Sequence, residues 1–500
     1  MAEQKKTVRV RFAPSPTGRM HLGSARTALY NFLLARQSGG QFILRIEDTD
    51  RKRYVAGAEE ELIQGIRWLG MDWDEGPDKG GPYGPYRQSE RKEIYQEYGR
   101  KLVEAGKAYY CFCTPQRLEA VHQEQLKRKE TPHYDGTCRL LSPAEAQARA
   151  GAGEPHVVRF KTPKEGVTVV RDALRGDITV ENRTLDDYIL IKTDGWALYH
   201  LAAVVDDHLM KITHVIRGSE WLPTFPLHSL IHRAFGWEEP VWVHLSVFLK
   251  PSGKGKMSKR EAADLMKDGY SIFVRDLEAL GYIPEGVVNW VALMGWSYDD
   301  RTEFFTLEDL VDKFSLDRLN PSPAAINFSK LDHFDGLHIR ALPLRDLAAR
   351  VQPFLERAGF QVDPDTLIRV MPIVRERLTT LDDIVEMAGF FFMDPIDQSP
   401  ERLVIKGLTP EQSANIASRV ADLLSGLPDL SPAATEPPLR ALIEAEGLSA
   451  GQVLGLMREA VTGQRVSPPI FETMEIIGQI KVIDRIRQAA AILENTSQAG

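Results

Sequence analysis

The stretch Val8-Arg9-Val10-Arg11-Phe12-Ala13-Pro14-Ser15-Pro16-Thr17-Gly18-Arg19-Met20-His21-Leu22-Gly23-Ser24 decides the fold. Val8 to Phe12 predicts a buried strand, and Pro14 to Gly18 a turn. Leu22, Ala25, Leu29, Phe32 and Leu33 then recur at helical spacing over about His21 to Gln37. Gln41 to Ile46 predicts a second strand. Leu62, Ile66 and Leu69 make one stripe of a helix near Gly57 to Leu69. Strand, helix, strand, helix in that order predicts an α/β fold with a parallel sheet covered by helices.

The junction between that first strand and helix is also where chemistry is expected. In open α/β sheets, ligands bind beyond the carboxyl ends of the strands. A helix start offers unpaired N–H groups and a positive dipole end, both suited to phosphates. Gly23 takes a side chain away from that start, which lets a ring or phosphate approach the backbone. His21 is suited to donate a hydrogen bond to phosphate oxygens as charge builds there. Far downstream, Leu249 to Arg260 reads LKPSGKGKMSKR, a Gly- and Lys-rich loop. Its cations, Lys256 and Lys259 among them, are suited to close over a triphosphate and neutralise a departing pyrophosphate.

Composition narrows the class. A chain of 500 residues, 43% hydrophobic and 26% charged, carries several buried cores and is not disordered as a whole. No run of apolar residues is long enough for a membrane span, and Met1 to Lys6 lacks the apolar stretch of a signal peptide. Three cysteines are too few for a disulfide scaffold. A reducing, cytoplasmic setting follows as the expectation. The net charge of −8 means that any nucleic-acid partner must be held by local basic patches.

The texture changes along the chain. Short strands with charged turns over about 109–193 (Val157 to Phe160, Val167 to Val170, Ile178 to Val180, Tyr188 to Ile191) predict a mixed insertion. Helix and strand signals return over Leu198 to His214 and Val215 to Arg217. After about Ala341 the reading is almost entirely helical. Thr409-Pro410-Glu411-Gln412 and Ser449 with Gln452 are helix starts, whereas Pro-rich Leu427 to Pro438 predicts a loop or linker.

The pairing of PxPTGxxHxG near the amino terminus with Lys256-Met257-Ser258-Lys259-Arg260 resembles the class I aminoacyl-tRNA synthetase signature. The first motif is a His-Leu-Gly-Ser variant, with Ser24 where many members have a second histidine. That variant fits the glutamyl branch. Phe42 to Asp50 (FILRIEDTD), Gly84 to Arg91 (GPYRQSER), Tyr199 to His208 and Val215 to Trp221 are similar to bacterial glutamyl-tRNA synthetases. The likeness is dense over residues 8–335.

The resemblance implies a Rossmann-like catalytic domain in two halves, 1–108 and 194–245. It further implies a tRNA acceptor-end insertion over 109–193, a KMSKR loop and stem-contact region over 246–340, and an all-α anticodon-binding domain over 341–500. It implies ligation of L-glutamate to the 3′-terminal adenosine of tRNA(Glu) through a glutamyl-adenylate, with ATP and Mg²⁺ as the substrate complex. His21, Lys256 and Lys259 take the catalytic roles, and these three with Gly23 bind ATP. Arg11 and Arg217 are placed for glutamate, Glu47 for its ammonium, and Ser15 and Tyr199 complete the pocket. The chemistry agrees, since an arginine fork grips a carboxylate at two points. Ala203 stands where some relatives carry an Asn. A cytoplasmic monomer is expected. The alternatives are a non-discriminating enzyme that also charges tRNA(Gln), or a catalytically silent tRNA-binding paralogue.

Cys111, Cys113 and Cys138 raise a structural zinc site. Some bacterial relatives carry zinc here, with a fourth ligand two residues beyond the last cysteine. Leu140 stands there in this chain and cannot ligate, which leaves His133 or Tyr134 as a substitute and zinc not favoured. In the tail, Arg440, Arg458, Arg465, Arg485 and Arg487 are candidates for contact with phosphates or base edges of an anticodon loop.

Overall fold

The computed structural model describes residues 7–50, 52–255 and 259–499. It divides into two compact units, Met1–Leu277 with Val287–Phe328, and Glu278–Gly286 with Ser329–Gly500. Among the described residues no helix is long and apolar enough to cross a membrane.

The first unit begins as its sequence predicts. Strand β1 (Arg9–Phe12) leads into helix α1 (Leu22–Gln37), and β2 (Gln41–Leu44) returns parallel to β1, with Arg9 opposite Gln41 and Phe12 opposite Leu44. Val10, Phe42, Ile43 and Leu44 are fully buried, as strands covered on both faces require. Gly40 is needed at the return, because a Cβ there would collide with the Val8 carbonyl oxygen. Helix α2 (Ala58–Trp68) follows, turning Leu62, Ile63 and Ile66 inward. Next come α3 (Lys92–Glu104) and β3 (Ala108–Cys111), then α4 (Pro115–Lys127), α5 (Pro143–Gly151) and β4 (Val157–Phe160). Beyond these lie β5 (Val167–Asp172), β6 (Gly176–Glu181), β7 (Ile189–Ile191) and α6 (Tyr199–Leu209). Strand β8 (His214–Gly218), α7 (Phe225–Phe235) and β9 (Val241–Leu245) complete the series.

Strands β3, β4 and β7 form an antiparallel sheet of their own. The hairpin β5–β6 does not join it. Although it falls within 109–193, it belongs to a four-stranded sheet in the order β6-β5-β9-β8, with β5 parallel to β9 and β9 parallel to β8. Strand β1 lies against the far side of β8, where the Thr213 N–H donates to the Arg9 carbonyl at 2.9 Å. Spatially the parallel strands therefore run β5, β9, β8, β1, β2. Their carboxyl ends share one edge.

The second unit is helical. Thr409 and Gln412 form the expected capping box at the start of the helix Pro410–Ser425, and the Gln452 side chain accepts the Ser449 N–H at 2.9 Å. The Pro-rich segment departs from its reading as a loop: Pro432–Ala445 is a helix. Ser431 caps it, Pro432 takes the first helical position where no N–H is needed, and Leu439 and Ile443 are buried in the core. That burial outweighs the N–H groups missing at Pro437 and Pro438.

Candidate functional site

Each parallel strand ends by presenting a polar side chain at the shared edge. Arg11 is on β1, Arg217 on β8, His244 on β9 and Asp172 on β5, while Arg45 and Glu47 lie just past β2. All are buried. Arg217 and His244 are register partners in the parallel pairing of β8 with β9, so their side chains emerge side by side on one face.

Ion pairs knit the β1–β2 half. Arg45 donates to Asp207 at 2.7 Å and to Glu47 at 3.0 Å, and Arg11 donates to the same Asp207 oxygen at 3.1 Å. Asp206 is held by Arg91 at 2.7 Å, Gln88 at 2.9 Å and Tyr95 at 2.8 Å. Burial pushes the Asp207 carboxyl up, but the Arg11 and Arg45 charges outweigh it and hold the group below its ordinary value. At Glu47 burial wins and the pKa is raised, against Arg45 and Arg11. Oε1 of Glu47 accepts from Arg45, and no hydrogen bond to its second oxygen is found among the described residues.

Arg217 sits differently. Its Nη1 donates to His228 Nδ1 at 2.8 Å and to the Tyr199 hydroxyl at 3.4 Å, and its Nε donates to His244 Nε2 at 3.0 Å. Nη2 is buried with no partner. No carboxylate forms a salt bridge with Arg217 among the described residues. Tyr199 stacks on Trp221 with ring centroids 4.0 Å apart, closing one wall. Burial lowers the Arg217 pKa, yet a guanidinium remains charged at any working pH.

His21 caps α1. Its Nδ1 accepts from the N–H groups of Gly23 at 3.0 Å and Ser24 at 3.3 Å. A neutral ring so engaged carries its proton on Nε2, which is 3.4 Å from the Ser24 hydroxyl. Loss of hydration lowers its pKa, with Glu220 opposing, so the neutral donor form prevails. The first-turn N–H groups are not free, contrary to the sequence reading. Leu22 donates to the Ile272 carbonyl at 2.9 Å, and His21 takes the next ones through its ring and its carbonyl. Gly23 has a local reason too, because a Cβ there would stand 2.9 Å from the His21 ring. Ser15 is exposed and Ala203 buried. Lys256 and the side chain of Lys259 lie outside the described residues. A cavity of about 550 Å³ lined by Phe32, Arg36, Leu307 and Val311, among others, lies at the opposite end of α1 and includes none of these groups.

The structure thus brings Arg11, Glu47, Tyr199 and Arg217 to one edge. Sequence reading gave no role to Arg45, Asp172, Asp207, His228 or His244. Two signals were present. The doublet Asp206-Asp207 interrupts an otherwise apolar helix, as buried ion-pair partners do, and Arg45 and Glu47 flank Ile46 at strand periodicity.

At the cysteine cluster the three Sγ atoms lie within 4.8 Å of one another. The Tyr134 hydroxyl is 3.4 Å from Cys111 Sγ and 3.6 Å from Cys113 Sγ, and Cys113 is 3.5 Å from Cys138. Ligands of a tetrahedral zinc, bonded at about 2.0–2.3 Å, stand at comparable separations. Leu140 is 87% exposed and His133 turns Nδ1 to the Thr131 carbonyl at 2.9 Å, so Tyr134 is the fourth donor that the geometry offers.

Of the tail arginines, two are held by backbone carbonyls. Arg485, 2% exposed, donates to the carbonyls of Val461, Phe390 and Met393. Arg458 donates to Ser467 and Pro468 carbonyls at 3.0 Å. Arg440 pairs with Glu436 at 2.8 Å, Arg487 lies 3.8 Å from Asp422, and Arg465 is exposed.

Residues 7–333 match the family described as tRNA synthetases class I (E and Q), catalytic domain, and residues 346–490 match an anticodon binding domain. The chain is 44% identical over 491 residues to a glutamate--tRNA ligase of Dehalococcoides mccartyi, covering 97% of this chain and 98% of that protein. It is also 44% identical over 509 residues to one of Chloroflexus aurantiacus, covering 99% and 100%. Among solved structures it resembles a glutamate tRNA ligase from Elizabethkingia meningosepticum in complex with its amino acid. That likeness has a TM-score of 0.89 at 36% identity and covers 97% of this chain and 99% of that one.

Proposed function

The chain belongs to the class I tRNA synthetases, in their glutamate and glutamine group, and from that premise we propose how it joins L-glutamate to the 3′-terminal adenosine of tRNA(Glu). The observation that carries the reading is the buried Arg217 guanidinium with one Nη2 unpartnered and no carboxylate of its own. A buried cation in that state lowers its free energy by receiving a carboxylate. Arg217 and Arg11 take the glutamate side-chain carboxylate, with the Tyr199 hydroxyl alongside. Glu47, held by Arg45, takes the ammonium through its second oxygen. Ser15 completes the pocket from its exposed turn.

In the first step the glutamate α-carboxylate attacks the α-phosphorus of MgATP, forming glutamyl-adenylate and releasing pyrophosphate. His21 donates through Nε2–H to the phosphates, Gly23 admits the nucleotide to the helix start, and Lys256 and Lys259 neutralise the departing pyrophosphate. In the second step the 2′-hydroxyl of the terminal adenosine attacks the mixed anhydride and AMP leaves. Positioning and preorganised charge supply the rate, since no covalent enzyme intermediate forms.

The segment 109–193 holds the acceptor end of the tRNA in this reading, and the helical unit reads the anticodon. Zinc, when bound to Cys111, Cys113, Cys138 and Tyr134, ties the end of β3 to residues 134–138 as a structural clamp. The enzyme acts as a monomer in the cytoplasm, where protein synthesis takes place.

The deciding experiment aminoacylates purified tRNA(Glu) and tRNA(Gln) separately with labelled glutamate. Charging of tRNA(Glu) alone is the expected result. Charging of both identifies a non-discriminating enzyme, and charging of neither by folded protein overturns the reading in favour of a silent tRNA-binding paralogue.

A further inference from the structure

Two chains of hydrogen bonds lead away from Arg217, and their directions are fixed. Arginine only donates. Arg217 Nη1–H points at His228 Nδ1, so the His228 proton is on Nε2, where it meets His200 Nδ1 at 2.9 Å. Arg217 Nε–H points at His244 Nε2, so the His244 proton is on Nδ1, where it meets Asp172 Oδ2 at 2.7 Å. The same Asp172 oxygen accepts the His244 backbone N–H at 3.0 Å, and its other oxygen accepts from Leu174 and Arg175 N–H groups at 3.0 Å. His228, His244 and Asp172 are each no more than 1% exposed. The guanidinium is thus gripped on two sides by neutral acceptors. Its nearest counter-charge on this branch, Asp172, stands one imidazole away.

That arrangement differs in kind from Arg11 and Arg45, which touch carboxylates directly. A neutral acceptor satisfies a buried N–H without cancelling the charge behind it. We propose, building on the glutamate-pocket reading above, that Asp172 and His244 are positioning residues that hold Arg217 as an oriented, uncompensated cation and thereby select a carboxylate over a carboxamide in the amino-acid side chain. Asp172 fixes the His244 tautomer, and His244 fixes the guanidinium plane, which leaves Nη2 buried and without a hydrogen-bond partner. Asp172 belongs to β5, within the segment assigned above to the tRNA acceptor end, so that segment also shapes the amino-acid pocket.

The test uses the full chain and steady-state charging of tRNA(Glu), with glutamate and ATP varied separately. Asp172→Ala removes both the charge and the acceptor of His244 Nδ1–H, so nothing holds the ring proton away from Nε2, where it opposes Arg217 Nε–H. The expected result is a KM for glutamate raised tenfold or more, a kcat within about threefold, and an ATP KM within twofold. His244→Ala gives the same split, whereas His244→Gln keeps an acceptor for Arg217 and recovers at least half of the loss on a logarithmic scale. Equal glutamate KM for the parent and soluble Asp172→Ala overturns the proposal. If that variant does not fold, identical glutamate KM values for His244→Ala and His244→Gln overturn it. Failure of the parent chain to charge any tRNA is a separate outcome, which overturns the functional reading beneath the proposal as well.

Discussion

Replacing Arg217 with Ala removes a buried cation at the strand edge that has no carboxylate partner among the described residues, so the loss should fall on glutamate and on little else. At about 4 Å and an effective dielectric near 20, a unit charge pair is worth roughly 4 kcal/mol. Truncating one partner of a desolvated charge pair costs about 2–5 kcal/mol by experiment. Arg11 remains beside the site and retains part of the attraction, so a loss of roughly 2–4 kcal/mol is expected. That corresponds to a glutamate KM raised about 30- to 1000-fold.

The substitution also strips donors from His228 and His244. Each loss is worth about 1–3 kcal/mol if nothing replaces it, and water entering the vacated volume offsets part. Thermal denaturation should therefore accompany the kinetics. Arg217→Lys, which keeps the charge but loses the planar fork, should fall between parent and Ala. The assay is charging of tRNA(Glu) with glutamate titrated at saturating ATP. A glutamate KM within a factor of two, with kcat intact, would remove Arg217 from the pocket.

Lys259→Ala should lower the charging rate by about 10²–10³-fold with the glutamate KM little changed, as expected when a cation acts on developing phosphate charge; an unchanged rate and ATP dependence would contradict its role. Protein purified with zinc present should carry about one zinc per chain, and Cys138→Ser should lower both that content and the Tm; elemental analysis showing well under one disposes of the site. Burial pushes the Asp187 carboxyl up, but Tyr109, Arg139 and Lys164 together hold it below its ordinary value. Its contribution is therefore present above the unfolded carboxyl pKa near 4 and lost as pH falls through the lower folded one. Asp187→Asn should lower the Tm at pH 7 and flatten its decline between about pH 5 and pH 2, a slope that scanning calorimetry reads. Arg485→Met orphans two buried carbonyls and a partly buried third and should destabilise the chain by about 3 kcal/mol, whereas Arg465→Ala should weaken tRNA binding with the Tm unchanged. Equal Tm values for those two variants would contradict the division between structural and exposed arginines.

Elements with a period were legible in the sequence. Helix α1 and strands β1 and β2 lie within a residue or two of their predicted bounds because apolar spacing alone sets them. The Pro-rich helix Pro432–Ala445 was not legible, since its stability comes from burying Leu439 and Ile443 against distant helices. The free helix start was misread for a related reason. The motif suggests an anion site, but His21 folds back on its own turn, and only coordinates show which nitrogen is then left to act. Arg485 shows the limit from the other side, because an arginine in an apolar stripe reads the same whether it faces RNA or three carbonyls.

The residues proposed for the glutamate pocket and its support occupy positions 11, 47, 172, 217 and 244, and nothing local in the sequence joins them. What joins them is strand order. Parallel strands carry their carboxyl ends to one edge, so a polar residue near the end of each strand meets its neighbour from the next. The order β5, β9, β8, β1, β2 then lays Asp172, His244, Arg217, Arg11 and Glu47 in a row. Along that row direct carboxylate contacts fall at Arg11 and Arg45, and neutral imidazoles meet Arg217. The alternation leaves one cation without a carboxylate among the described residues where the strand order reverses, between β8 and β1. A carboxylate-bearing side chain is the natural occupant of that gap, and an amide there would leave the charge of Arg217 unanswered.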